Sequence, residues 1–495
     1  MTADMAARGE GLSIPLSPSG LPDPELSSPE PSGSDLGQSL SGQTRTRLVR
    51  GGALFGLCQF VGMALGFLSG MVLVRIADKP AVGSYMLLQQ AVMALGMALQ
   101  LGLGAAALRF APISRGQGGG RATALLRRRL FGLQIGLWAL VVPPLVLVWP
   151  WLATRLDAPE LGAATGFLVA AAVLASFGNL VDSYLRAFRL YVLSAPLTHL
   201  VPRGLILGGF LLLLFLPGKE PWEMIASVYV GAMIVASIGY AFALLATTSG
   251  ESSEPRTASV PPGLREILGT STAMGLRSAA SVLFVSSSLW VLSWARPHEE
   301  VAVYGVAATL LQVMAAIPSI ANFVVPQEFA LMYADGRKSE IEQLARTAAT
   351  LVAILSGASL LGLLLIGRPL IRLAYGDAYV GAWGILLVLA VGTFWDSASG
   401  GAGFALQMAG HHVRLLLLTV GGAVLNVVLS LLLAPLWGGY GIAAATTVTL
   451  IALNVAMVQS ARTLLGVRTF VYTQPSQWRR VLTLVRESRF FPKVT

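Results

Sequence analysis

Charged residues are scarce in this chain of 495 residues: Asp, Glu, Lys and Arg account for 12% of it, whereas hydrophobic residues account for 55%. The mean hydropathy is +0.71. Soluble domains are about 25% charged on average, so the composition excludes an ordinary soluble protein. It predicts an integral membrane protein.

Cysteine and histidine are also scarce. The single cysteine, Cys58, lies inside an apolar run, which excludes an intrachain disulfide and a cysteine-based metal site. The four histidines do not form a metal-binding set, and the chain has no phosphate-binding Gly-Lys loop and no nucleophile elbow. We therefore expect no cofactor, no metal and no catalysis. The net charge of +10 is spread between apolar runs instead of forming a patch, so nucleic acid is not an expected partner.

Long uncharged runs open the ordered part of the chain. Residues 51–74 and 86–108 contain no charged side chain, and only RIADKPAVGSY lies between them. A helix needs about 20 apolar residues to cross a bilayer, so each run is long enough. Two such runs in succession offer no polar face to water, and they predict a membrane-spanning hairpin.

Further apolar runs predict an all-α membrane protein of about twelve spans joined by short links. Lys and Arg are several-fold more numerous in the links on the side of the N-terminus, which places both termini in the cytoplasm. The ten later runs lie at about 130–152, 161–185, 193–216, 222–247, 267–294, 301–325, 346–367, 380–405, 413–435 and 440–461.

An internal repeat divides the twelve spans into two halves. Tyr85 recurs as Tyr304 and Ser69 as Ser288, both at an offset of 219 residues. Because six spans separate the copies, the halves share one orientation, and we expect two six-helix lobes related by a pseudo-two-fold axis along the membrane normal. The predicted domains are a disordered cytoplasmic tail (1–46), an N-lobe (47–247), a cytoplasmic linker (248–266), a C-lobe (267–465) and a basic cytoplasmic tail (466–495).

Several segments resemble one family of membrane carriers. They are RIADKPAVGSY after the first span, VAVYGVAATLLQ, PQEFALMYADGRKSEIEQL and GGYGIAAATTV. In these segments the chain is similar to the polysaccharide flippases, the lipid-linked oligosaccharide branch of the superfamily that also contains the multidrug and toxin extrusion antiporters. The second Gly-x-Tyr of the family pattern is changed here, because Ala302 replaces its glycine.

The resemblance implies an alternating-access transporter in the bacterial inner (cytoplasmic) membrane. Its expected substrate is a polyprenyl-diphosphate-linked oligosaccharide, flipped outward for the synthesis of surface polysaccharide such as O-antigen or lipopolysaccharide. Expected partners are membrane lipid, H⁺ or Na⁺ as a coupling ion, a polysaccharide polymerase and glycosyltransferases.

Arg277 is the first candidate site residue. It lies about ten residues into the seventh span, roughly 15 Å deep. An arginine at the membrane centre costs at least about 2.5 kcal/mol, so it needs a wet cavity or a partner. One hypothesis places it in the central cavity as a ligand of the substrate's diphosphate, since a guanidinium presents paired donors. The alternative is an ion pair with Asp396 inside one lobe.

Three further residues are candidates. Asp396, an intramembrane acid in span ten, is a hypothetical ion-coupling site, with structural pairing as the alternative. Arg203 in span five is a possible second cation of the cavity. Asp182 is a second ion-coupling candidate, although its spacing from Arg186 also fits a plain i,i+4 ion pair.

Three other functions are open to a membrane protein of this kind. A membrane glycosyltransferase needs acid-base residues on a sizeable outer loop, and the outer links are short with few acids. A cation-coupled drug antiporter of the same superfamily needs acids in its cavity, whereas the spans expected to line it hold one arginine and no acid. This distribution favours an anionic substrate. The third function, a scaffold subunit with degenerate transport, is also compatible with the sequence.

Overall fold

The computed structural model describes residues 42–155, 162–215, 222–248, 263–312, 314, 338–472 and 478. Most of the predicted N-terminal tail, of the linker and of the basic C-terminal tail lies outside these residues, as does the inner half of the predicted eighth span. Within the described residues the chain is helical, with one short 3₁₀ turn and no strand. The all-α prediction is confirmed.

The described residues of the N-terminal half form seven helices. The reason is the length of the apolar runs, since a run with no polar face satisfies its backbone in lipid only as a helix. They are α1 (Gly42–Ile76), α2 (Lys79–Ala98), α3 (Leu103–Arg155), α4 (Thr165–Ala187), α5 (Tyr191–His199), α6 (Val201–Leu213) and α7 (Trp222–Thr248).

The C-terminal half repeats this plan with six described helices. They are α8 (Leu264–Ala295), α9 (298–312), α10 (Lys338–Tyr375), α11 (Ala382–Ala398), α12 (Ala402–Met408) and α13 (His412–Leu465). The 3₁₀ turn Asp377–Tyr379 joins α10 to α11. Helix packing occurs largely within each half, and α8 is the main exception because it also packs on α2 and α3.

Nine helices of the described chain are long and apolar enough to cross a membrane. The last two predicted runs lie in one long helix, the tenth corresponds to the shorter α11, and the eighth is only partly among the described residues. α13 spans 54 residues and holds the last two runs, with a kink at Gly438 (φ 55°, ψ −132°) just after Pro435. A residue with φ > 0 and extended ψ is nearly restricted to glycine, so Gly438 marks the turn between spans.

The second predicted run was placed a few residues too late. α2 begins at Lys79, where Asp78 caps its first turn by accepting a hydrogen bond from the Ala81 amide at 3.1 Å. The helix then ends before Leu101 and Gly102, which both have positive φ. Leu103 to Arg155 form one helix that contains the predicted inner link and the third span.

The repeat is visible in the core. Tyr85 and Tyr304 are both buried, as are Ser69 and Ser288. Contacts between the halves lie along α8 and just after it. Near the start of α8, the backbone of Gly275 lies against that of Leu101 and Gly102. Beyond the end of α8, His298 shares a hydrogen bond with Ser84 at 3.3 Å.

Candidate functional site

A cavity of about 320 Å³ lies among the helices of the C-terminal half. Its described lining comes from α8, α10, α11, α12 and both segments of α13. Polar lining residues include Arg277, Asp396, Gln407 and Asn454, and apolar ones include Phe284 and Met457. The cavity therefore combines one cation, one acid and two amides.

Arg277 is half-buried on α8. The helix begins at Leu264, so the residue lies about 20 Å along its axis. Its Nη1 donates a hydrogen bond to Oε1 of Gln407 at 2.9 Å. The partner is a neutral amide, and Asp396, although it lines the same cavity, is not within ion-pair distance. The guanidinium therefore keeps a net positive charge inside the cavity, together with most of its donors.

Asp396 lies near the C-terminal end of α11 in a short chain of hydrogen bonds. Its Oδ1 accepts from Nδ2 of Asn454 at 2.9 Å. The Oδ1 of Asn454 accepts in turn from the hydroxyl of Ser399 at 2.9 Å. The amide orients the carboxylate without neutralising it, so Asp396 presents an intramembrane acid to the cavity.

The turn after α11 depends on glycine. Gly400 (φ 74°) and Gly401 (φ 67°) both adopt the left-handed region that L-residues with side chains rarely occupy. A Cβ on Gly400 would also collide with the carbonyl oxygen of Thr469. This turn separates α11 from α12, and so it sets Asp396 and Gln407 on the same cavity wall.

Asp182 occupies a different environment in the N-terminal half. Its Oδ2 forms an ion pair with Arg186 at 2.8 Å. Its Oδ1 accepts hydrogen bonds from the hydroxyls of Ser194 at 2.5 Å and Thr198 at 2.7 Å. Thr198 also shares a hydrogen bond with Tyr240 at 2.8 Å. The i,i+4 pair expected from the sequence is present, and both carboxylate oxygens are occupied.

Arg203 lies close to this cluster on α6. Its guanidinium packs against α1 where Gly62 leaves room, since a Cβ there would lie 2.7 Å from Nη1 of Arg203 and 2.5 Å from the carbonyl oxygen of His199. His199 is near enough to Arg203 and Asp182 for electrostatic interaction. The structure thus places Arg277 and Asp396 in one cavity without an ion pair between them, and it places Arg203 and Asp182 each near His199.

Three cavity residues escaped the sequence analysis: Gln407, Asn454 and Ser399. Asn454 offered a signal, because it is a lone amide inside the apolar run TLIALNVAMV. Gln407 lies in the link after the tenth span, where polar residues carry no signal. Among the described residues, no three His, Cys, Asp or Glu side chains converge as metal ligands.

The chain is similar to proteins of a known family. The family described as polysaccharide biosynthesis protein matches residues 48–326, more than half of the chain. The chain belongs to that family. Its resemblance to the polysaccharide flippases, drawn above from short segments, is thereby confirmed. No curated protein matches the chain.

Solved structures show the same architecture. An inward-facing multidrug resistance MATE family transporter of the MOP superfamily aligns with a TM-score of 0.66 at 17% identity, covering 82% of this chain and 94% of its own. The lipid II flippase MurJ, in an inward closed conformation, aligns with a TM-score of 0.65 at 12% identity, covering 89% and 94%. The fold is that of MOP-superfamily transporters in a multi-pass membrane protein, and both structures are of transporters or flippases, not enzymes.

Proposed function

We propose that this protein flips a polyprenyl-diphosphate-linked oligosaccharide across the bacterial inner membrane by alternating access. The observation that carries the proposal is the guanidinium of Arg277, held in a cavity among the helices of the C-terminal half by the neutral amide of Gln407. The family, whose description is polysaccharide biosynthesis, gives the chemical context.

A charged arginine in this position favours an anionic ligand. Burying a guanidinium within a spanning helix costs at least about 2.5 kcal/mol unless an opposite charge compensates it. No acid pairs with Arg277 in the described structure, so a phosphate entering the cavity supplies the missing charge. Planar paired donors match the oxygens of a diphosphate.

Arg203 is proposed as a second cation for the same substrate, acting from the N-terminal half. In the present arrangement its guanidinium lies against Gly62 on α1. Movement of α1 relative to α6 during alternating access would release it towards the space between the halves. Two arginines from opposite halves would then bind the diphosphate, provided that the cavity around Arg277, lined here by the C-terminal half, opens to the same space. The sugars would extend into the wider cleft.

Asp396 is the proposed coupling residue for H⁺ or Na⁺. It lines the cavity and receives one hydrogen bond, from Asn454, in the described structure. A carboxylate in that state gains most from binding a proton or a cation. Asp182, the other candidate, already has a partner on each oxygen, and the same experiments test it.

A cation-coupled drug antiporter of the same superfamily is the second candidate. One observation favours it: Asp396 gives the cavity an acid, which a cationic drug could use. The two functions differ in the residue that binds the cargo. A flippase needs Arg277 for the cargo and tolerates loss of Asp396 in binding assays, whereas an antiporter shows the opposite dependence.

The deciding experiment measures the sidedness of lipid-linked oligosaccharide in cells that lack the gene, complemented with variants. With the parent chain, oligosaccharide reaches the outer leaflet and surface glycan is made. Arg277→Ala should trap it on the inner leaflet, and Arg277→Lys should restore part of the export because it keeps the charge. Arg372→Ala is the matched control, since Arg372 forms an exposed ion pair with Asp377 outside the cavity.

Unchanged export with both Arg277 variants would remove the diphosphate role. Loss of drug resistance in the gene deletion, with export intact, would support the antiporter instead. The same cells would show whether export also needs a polymerase and glycosyltransferases, which are the proposed partners. They would also show whether both termini of the chain lie in the cytoplasm, as proposed.

A further inference from the structure

The chain does not leave the fold where α13 ends. Gly466 terminates the helix in the left-handed conformation (φ 71°), and its amide donates to the carbonyl of Arg462 at 3.2 Å. Residues 466–472, which we name the C-terminal strap, then run back over the end of the C-terminal half outside any helix or strand. They are the first residues of the segment that the sequence suggests as a basic tail.

Burial alternates along the strap. Val467 and Thr469 are 2% and 0% exposed, whereas Gly466 and Arg468 are exposed. This period of two is that of an extended segment lying on a surface. Val467 fills an apolar cluster whose other members come from α10, α12 and the end of α13, including Ile341, Ala402 and Leu406.

Three backbone amides of the strap have partners in the C-terminal half. Arg468 donates to Oε2 of Glu342 at 3.1 Å, and Tyr472 donates to the hydroxyl of Thr350 at 3.2 Å. Between them, Val471 donates to the carbonyl of Ala398 at 3.1 Å. Ala398 is the last residue of α11, where helix carbonyls lack partners of their own. The strap therefore caps the helix that carries Asp396.

Side chains of the C-terminal strap add contacts with the end of α11, with the turn after it and with α10. The ring of Phe470 packs on that of Trp395 at 5.5 Å between centroids. The guanidinium of Arg346 lies 4.2 Å above the ring of Tyr472. The carbonyl of Thr469 fills the space that Gly400 leaves. Trp395 and Gly400 bracket Asp396 and Ser399, the residues that hydrogen-bond through Asn454.

We propose that the C-terminal strap is a positioning element for Asp396: it fixes the end of α11 and the Ser399–Gly401 turn so that the acid faces the cavity. None of the residues of the strap lines the cavity among the described lining residues. The proposal rests on the coupling role given to Asp396 above. It makes transport dependent on residues 466–472, which lie well beyond the region matched by the family.

The test uses the full chain with a single reporter thiol. Cys58→Ser removes the only cysteine, and Thr419→Cys places one on a cavity wall formed by α13, away from the strap. In that background Phe470→Ala removes the packing on Trp395. Phe470→Tyr keeps the ring, and Arg468→Ala changes an exposed side chain while leaving its amide in place.

We expect Phe470→Ala to raise the alkylation rate of Cys at position 419 by a polar maleimide roughly threefold to tenfold, the factor that loss of one aromatic pair represents. The Phe470→Tyr and Arg468→Ala proteins should react at the parent rate. Phe470→Ala should also weaken the dependence of transport on the ion gradient, as Asp396→Asn does, with the substrate KM unchanged.

An alkylation rate equal to that of the parent in Phe470→Ala overturns the proposal, whatever transport shows. A raised rate with the gradient dependence of transport unaltered by Asp396→Asn supports the strap as a positioning element and refutes the coupling role of Asp396. The failure of the strap and the failure of the proposed function are thus separate results.

Discussion

The two halves each hold an acid within a spanning helix, but in opposite states. Asp182 has an arginine, two hydroxyls and a nearby tyrosine around it, and it is 5% exposed. Asp396 has one amide and a cavity of about 320 Å³ beside it. The two halves therefore share a helical plan, but their intramembrane acids have different surroundings.

The difference shows how a polar group is tolerated inside a membrane. A buried carboxylate whose oxygens all have partners contributes to the stability of the native state, and its removal leaves those partners unsatisfied. A carboxylate with spare acceptor capacity beside a cavity adds less to stability and is available for ligands. We therefore expect substitutions in the N-terminal cluster to act on stability and those in the C-terminal cavity to act on transport.

The largest effect is expected for Asp182→Ala. It leaves Arg186 without its counter-charge and the hydroxyl of Ser194 without its acceptor, so the free energy of unfolding should fall by about 3 kcal/mol. Thermal unfolding of the detergent-solubilised protein measures this. Asp377→Ala is the control, since its exposed pair with Arg372 should contribute less than about 1 kcal/mol. Equal losses of unfolding free energy in the two variants would contradict the stabilising role that distinguishes Asp182 from Asp396.

Gly62→Ala should be next. Its methyl group would meet the His199 carbonyl at 2.5 Å and the Arg203 guanidinium at 2.7 Å, and such overpacking costs about 2 kcal/mol. Gly56→Ala, on the same helix, has nothing within 4 Å of the new methyl group, and a gain of about 0.5 kcal/mol is expected from helix propensity. Measured melting temperatures that move in the same direction would contradict the close packing of α1 on the cluster.

Asn454→Leu sharpens the comparison from the other half. The substitution removes the amide that links Asp396 to Ser399, and the free energy of unfolding should fall by about 1 to 2 kcal/mol. Asn426→Leu offers a matched amide that bonds the carbonyl of Phe284 at 3.0 Å on α8. Both variants should unfold at a lower temperature than the parent, but the ion dependence of transport should change in Asn454→Leu alone.

The smallest stability effect is expected for Asp396→Asn, less than about 1 kcal/mol, because the carbonyl oxygen of the new asparagine can still accept the hydrogen bond from Nδ2 of Asn454. Transport should lose its dependence on an ion gradient. Everted vesicles loaded with a lipid-linked oligosaccharide and subjected to H⁺ or Na⁺ gradients give the measurement. A gradient dependence that survives in Asp396→Asn but disappears in Asp182→Asn would transfer the coupling role to the N-terminal half.

Much of the architecture was predictable because lipid leaves few options for a backbone. Uncharged runs of twenty residues specify helices, and the repeat of Tyr85 as Tyr304 specifies two similar halves. Boundaries were harder: α2 begins at Lys79 because Asp78 caps it, although the charges suggested a link there. The pairing of Asp182 with Arg186 followed from helix periodicity alone.

The cavity could not be predicted in the same way. Arg277 and Asp396 stood out because charge is rare in membrane helices, but the choice between an ion pair and separate roles depends on side-chain distances. Gln407 bonds to a residue 130 positions away, and the strap reaches back from residue 471 to Ala398. Contacts at such separation leave no periodic signal.

By itself the sequence determined a multi-pass helical membrane protein, its repeat and its few intramembrane charges, because hydrophobicity and helix geometry act over short stretches of chain. Tertiary structure decided which charges are neutralised and which remain available. Only packing in three dimensions gives Asp182 a full set of partners, leaves Arg277 with a neutral one, and brings the C-terminal strap beneath Asp396.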